Sequence, residues 1–153
     1  MSLTSTIKYQ AISFQPVKLE DAEDLVTLRI EAMRESLDRI GRFDPLRARE
    51  RFLSGFSQEH TRHIIVELQR VGFVVVRPTV ELIHLDHLYV HPAHQNQKIG
   101  SMVLSLIIEE ANALQLPVRV GALRDSDSNR FYIRHGFELV EQSEYDNYYI
   151  RRV

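Results

Sequence analysis

No cysteine occurs in the 153 residues. That excludes disulfides, thiolate metal centres and a cysteine nucleophile. No apolar run is long enough to cross a bilayer. Neither sign of charge dominates, since 19 Lys and Arg stand against 21 Asp and Glu; the clustered basic surface that nucleic-acid binding requires is missing. Residues 1–10 are polar and lack the apolar centre of a signal peptide. Repeats, low-complexity tracts and interdomain linkers are also absent. The expectation is one domain over 1–153, cytoplasmic, with no nucleic-acid and no membrane partner. What is present is a hydrophobic fraction of 44% beside 26% charged residues, the balance of a globular chain able to bury a sizeable core.

Hydrophobic period and turn residues divide the chain into elements. Ile12 to Val17 reads as a strand. Lys18-Leu19-Glu20-Asp21 opens a helix with acidic residues in its first turn, where the dipole favours them, and Ala22, Leu25, Leu28, Ala32 and Met33 share one face of it. A charged second helix runs from Pro45 to about Phe56. His63–Leu68 and Val71–Val76 are Val- and Ile-rich runs close enough to form a hairpin, and Arg77-Pro78-Thr79 turns into a long strand, Glu81 to Val90. A helix from about Lys98 to Leu114 carries Ile99, Met102, Val103, Leu106, Ile107 and Ala113 at helical spacing. Leu104, Ile108, Ala111 and Leu114 widen its apolar face. Val118–Leu123 is a strand. Asp125-Ser126-Asp127-Ser128 offers N-caps for a helix ending at His135-Gly136. Phe137–Glu141 and Tyr145–Arg151 close the chain as paired strands.

The most informative stretch is His91-Pro92-Ala93-His94-Gln95-Asn96-Gln97-Lys98-Ile99-Gly100-Ser101-Met102. A strand that breaks at a proline and restarts as a helix leaves backbone N–H groups free at the helix mouth. With the helix dipole behind them they form a site for a phosphate or pyrophosphate.

Two patterns join this element order: Gln95-Asn96-Gln97-Lys98-Ile99-Gly100-Ser101, and Asn129-Arg130-Phe131-Tyr132-Ile133-Arg134-His135-Gly136-Phe137. Together they resemble the GNAT superfamily of acyl-CoA-dependent N-acyltransferases, from Ile12 to Val153 and most strongly between Leu82 and Phe137. The resemblance implies an α/β fold: a mixed, mostly antiparallel sheet of about seven strands, a central splayed parallel pair, and about four flanking helices. It implies acetyl-CoA as cofactor, with Gln95, Asn96, Gln97, Lys98, Ile99, Gly100 and Ser101 around the pyrophosphate. The backbone of Leu88, Tyr89 and Val90 would pair with the pantetheine arm as with an added strand. Lys98 stands where the family usually has its first glycine. At negative φ its N–H still donates, and its ammonium adds a positive charge near the phosphates.

The implied reaction is acetyl transfer to a primary amine of a small molecule or peptide, by direct attack in a ternary complex. Tyr132 matches the tyrosine that many relatives use to protonate the leaving thiolate; packing in the core beside Phe131 is the competing role. His84 and Asp86 alternate onto one strand face, and each is a candidate base, since a histidine titrates near neutrality and an aspartate orients it or works through water. The following strand, Val118-Arg119-Val120-Gly121, lacks the glutamate that many relatives place there. Asn129, one turn before Tyr132, is a candidate for the pantetheine amide, with capping as the alternative; Asp125 is an N-cap. Glu31, Glu35, Asp38 and Asp44 favour a cationic amine, but Arg34, Arg39 and Arg42 are interleaved, as on a solvated face. The closing strands, as in many relatives, suggest a homodimer. Two other readings stay open: a non-catalytic acyl-CoA-binding sensor or interaction module, and a metallohydrolase built on His84-Leu85-Asp86-His87. Strand alternation sends His84 and His87 to opposite faces, which opposes a shared metal.

Overall fold

A computed structural model describes residues 12–39, 41 and 43–153; Arg42 and the polar stretch at 1–10 lie outside them. The elements are β1 (Ile12–Pro16), α1 (Ala22–Arg39, after a 3-10 turn at Leu19–Asp21), α2 (Pro45–Ser54), β2 (Thr61–Val66), β3 (Gln69–Pro78), β4 (Ile83–Val90), α3 (Ile99–Ala113), β5 (Val118–Leu123), α4 (Ser128–Arg134), β6 (Glu138–Gln142) and β7 (Asp146–Arg151). The strands form one seven-stranded sheet in the order β1-β2-β3-β4-β5-β7-β6. β4 and β5 are its parallel pair, with Ile83–Leu85 beside Val118–Val120. β4 runs on to Val90 past Leu85, its last residue paired with β5. The sheet, its parallel pair and the four α-helices among the described residues agree with the expected fold.

Boundaries moved where local hydrogen bonds compete. β4 starts at Ile83 rather than Glu81, because Thr79 Oγ1 accepts from the Glu81 and Leu82 amides and donates to Leu82 O. α3 buries Ile99, Val103, Leu104, Ile107 and Ala111. Leu114, expected on its apolar face, is exposed. It lies beyond the helix end, which Gln115 terminates at φ +57° while the Leu116 amide reaches back to Ala111 O, a Schellman-type stop with Gln in the usual glycine place.

Contacts divide the chain into two compact units. One comprises the chain through Val75 with His87–Val103; the other comprises Val76–Asp86 with Leu104–Val153. The core of the first is Val17, Leu25, Val26, Phe52, Phe73 and Val75, with Phe56 and Tyr89 packed on it. Asp21, expected only as a first-turn acid, is buried there. Its carboxylate accepts from the Lys18 amide (2.8 Å), lies 3.1 Å from His63 Nε2, and meets Arg70 Nη1 at 3.4 Å. The Lys18 amide first, then the His63 hydrogen bond, hold its pKa down to about 2 against the opposing effect of burial. The hairpin of β2 and β3 forms as expected, with Val66 opposite Gln69. Its two turn residues, Glu67 and Leu68, both have positive φ (50° and 67°).

In the second unit Tyr132 is buried among rings: Phe131 at 5.3 Å, Phe137 at 5.5 Å and Tyr149 at 6.3 Å between centroids. The N-cap of α4 is Asp127, whose side chain makes no capping bond. This corrects the expectation for the acidic run that includes Asp125. Asn129 braces this turn instead.

Candidate active site

The register of β2 and β3 sets the start of the helix-mouth loop. Ile64 pairs with Gly72 and Ile65 with Arg70, so Val71 is an unopposed bulge residue. Its carbonyl accepts the His91 amide at 2.8 Å. At Gly72 β4 passes so close that a Cβ there would stand 2.2 Å from Tyr89 O. His91 Nδ1 accepts from the Ala93 amide (3.0 Å), so its proton sits on Nε2, which donates to Glu31 Oε2 at 2.7 Å. Gln95 Nε2 donates to Val90 O at 3.0 Å. Strand end, loop and α1 are thereby tied together before α3 begins.

The loop then leaves a row of donors. Among the described residues the amides of Asn96, Gln97, Lys98, Ile99, Gly100 and Ser101 meet no protein acceptor; the first bonded amide inside α3 is that of Met102, on Lys98 O. Asn96 and Lys98 have φ +65° and +62°. Lys98 therefore adopts the left-handed conformation that glycine takes most readily, not the negative φ on which donation of its N–H was conditioned. Left-handed residues alternating with ordinary ones turn successive N–H groups toward a common point, a nest for an anionic oxygen.

Leu88, Tyr89 and Val90 lead directly into this loop, all within the first unit. His84, Asp86, Asn129 and Tyr132 belong to the second. His84 is half-buried and makes no side-chain hydrogen bond among the described residues. Asp86 Oδ2 is 2.5 Å from Arg77 Nε. The Asn129 amide is occupied at both ends: its nitrogen donates to Leu123 O (2.7 Å) and Ser126 O (2.8 Å), and its oxygen accepts from Asn147 Nδ2 (2.8 Å) and Tyr149 Oη (2.7 Å). Both ends of the Asn129 side-chain amide are thus engaged by the protein, which favours the bracing alternative over the pantetheine amide. His87 packs on Phe52 (5.6 Å) and Phe73 (6.4 Å), and among the described residues no three His, Cys, Asp or Glu side chains group to hold a metal.

The family model of the acetyltransferase (GNAT) domain matches residues 59–139. The chain belongs to the GNAT acetyltransferases. No curated protein sequence matches it, but solved GNAT structures share its fold. The PaiA N-acetyltransferase of Thermoplasma acidophilum, in complex with coenzyme A, superposes with TM-score 0.76 at 16% identity, over 93% of this chain and 99% of that one. A GCN5-related N-acetyltransferase of Rhodopseudomonas palustris gives 0.73 at 15%, over 92% and 95%. A GNAT acetyltransferase of Elizabethkingia anophelis with acetyl-CoA bound gives 0.64 at 16%, over 94% and 99%.

Within this GNAT chain several of the acids weighed between amine attraction and a solvated face are engaged by the protein itself. Glu31 holds His91, and Asp44 caps α2 by accepting the Arg47 amide at 3.1 Å. Asp38 faces Arg34 at 3.9 Å on the exposed side of α1, as a solvated pair. The Val71 bulge and the Asp21 network carried no signal in the sequence, because both depend on strand register. Gly72 alone hinted at a close approach, since a glycine inside a Val-rich strand often marks one.

Proposed function

We infer that the protein is an acetyl-CoA-dependent N-acetyltransferase acting on a primary amine of a small molecule or peptide, in a ternary complex. The row of unbonded amides from Asn96 to Ser101, with its two left-handed residues, carries this reading. A pyrophosphate fits such a nest because every donor is fixed in advance and none must break a protein bond to serve it. Leu88, Tyr89 and Val90 supply the strand edge for the pantetheine arm, which is supported by β4 outrunning its pairing with β5. Acetyl-CoA, when bound, supplies an acetyl carbon already activated as a thioester.

The chain's own groups then handle protons. His84 is the proposed base for the amine, free of competing hydrogen bonds on the described residues. Asp86, held by Arg77, is its electrostatic companion and an attractor for the incoming ammonium. Tyr132 Oη is the proposed acid. A homodimer is the proposed assembly, with the exposed Leu139 and Val140 of β6 as the apolar surface offered to the second copy.

The decisive experiment follows free thiol release from acetyl-CoA across an amine library. Turnover that falls at least about tenfold in Tyr132→Phe, with cofactor affinity kept, supports the acid role. A second reading, an acyl-CoA-binding module without turnover, is favoured by the burial of Tyr132 among aromatic rings; cofactor binding with no thiol release from any amine would establish it over the enzyme.

A further inference from the structure

Arg29 is a cation of α1 that the fold leaves without an anion. Elsewhere on this helix Glu23 bonds Arg49, Glu31 bonds His91, and Arg34 faces Asp38. The Arg29 guanidinium instead lies over the Tyr89 ring, 5.8 Å from carbon Cζ to the centroid. Its Nε is enclosed with no hydrogen-bond partner. Its two terminal nitrogens also lack partners among the described residues, and since they are not enclosed they reach solvent.

This arrangement is costly unless something answers it. An enclosed N–H without an acceptor loses its water and gains nothing in return, whereas Met or Leu would fill the same space without that loss. The ring covers one face of the guanidinium, so its remaining N–H groups project in its own plane as a fork. A carboxylate meets such a fork with two parallel charge-assisted bonds. Tyr89 also belongs to the strand segment assigned to the thioester arm, so an anion at Arg29 sits beside that segment.

We propose that Arg29 selects the acceptor: the amine to be acetylated carries a carboxylate, as an amino acid does, and Arg29 binds that carboxylate. This rests on the acetyltransferase reading and names its substrate class. It also replaces the cationic-amine preference suggested by the acids of α1. A phosphate of the cofactor offers the same chemistry from another source, so the test separates the two.

Steady-state kcat/KM is measured with acetyl-CoA for a panel of amino acids and the matching amino-acid amides, on the wild type, Arg29→Met and Arg29→Lys. Acetyl-CoA Kd and melting temperature are measured for each protein. The wild type is expected to prefer acids to amides by about tenfold or more, through KM. Arg29→Met brings the two within about twofold, Arg29→Lys falls between, and acetyl-CoA Kd stays unchanged. Arg29→Met keeps or raises the melting temperature, since it removes the enclosed N–H. Equal use of acids and amides by the wild type, a preference surviving in Arg29→Met, or a weakened acetyl-CoA Kd in that variant would each overturn the proposal. Should no amine be turned over, the acetyltransferase reading fails by itself. The melting shift of the coenzyme A-loaded protein with amino acids against amides, compared between wild type and Arg29→Met, then decides for or against Arg29.

Discussion

Lys98 is the residue at which local preference and function conflict most openly. A lysine at φ +62° carries left-handed strain of about 1 kcal/mol or more, which glycine does not. The proposed nest accounts for that strain, since it needs this backbone shape. Lys98→Gly is therefore expected to raise the melting temperature by about 2–4 °C and to leave coenzyme A binding at least as tight; a calorimetric titration and a thermal melt read both. A lowered melting temperature would show that the lysine side chain, not the backbone, is what the position is kept for. Asp21 gives a second residue-level expectation. Its carboxyl is held near 2, below the ordinary unfolded value, so its contribution of about 2 kcal/mol is complete above about pH 4 and is lost as the pH falls toward 2. Urea unfolding at a series of acid pH values tests this, and Asp21→Asn flattens the slope over that window. None of this was legible beforehand. A glycine-loop pattern names the position of Lys98 but not its φ, and the partners of Asp21, His63 and Arg70, lie more than forty residues away in sequence.

Among the elements, β3 decides how the cofactor segment is presented. Its bulge at Val71 turns a carbonyl to the His91 amide, and Gly72 lets β4 approach with Tyr89 O where a Cβ would otherwise stand. Gly72→Ala forces one strand away from the other and is expected to cost about 2–3 kcal/mol, measured by chemical denaturation. The shift falls on the segment assigned to the pantetheine arm, so acetyl-CoA affinity drops with stability. An alanine variant as stable as the wild type would mean the strands separate without loss. Element identity itself was readable. The 3.6-residue period of α3 and the Val- and Ile-rich runs of β2, β3 and β5 each report one dominant burial pattern. Element ends were not, because a threonine turn at Thr79 and a left-handed Gln115 are settled by a few side-chain and backbone bonds that period does not encode.

For the molecule as a whole the expectation is linkage. A ligand that grips only the folded form raises its stability, by about 2.7 kcal/mol at a hundredfold excess over Kd. For a chain of this size that is a melting shift of roughly 5–10 °C with saturating coenzyme A. An unchanged melting temperature would remove the nest from the argument. No described helix is long and apolar enough to cross a membrane. What the sequence determined by itself is the order of elements, the GNAT motifs and the helix mouth proposed for the cofactor's phosphates, because periodicity, turn residues and helix-mouth amides are local properties of the chain. The tertiary structure decided which of the candidate groups remain free to act. It engaged Asn129 and Glu31, wrapped Tyr132 in rings and left Arg29 without an anion among the described residues. Whether a polar group is spent on the protein or left for a ligand depends on neighbours that only strand register and helix packing bring together.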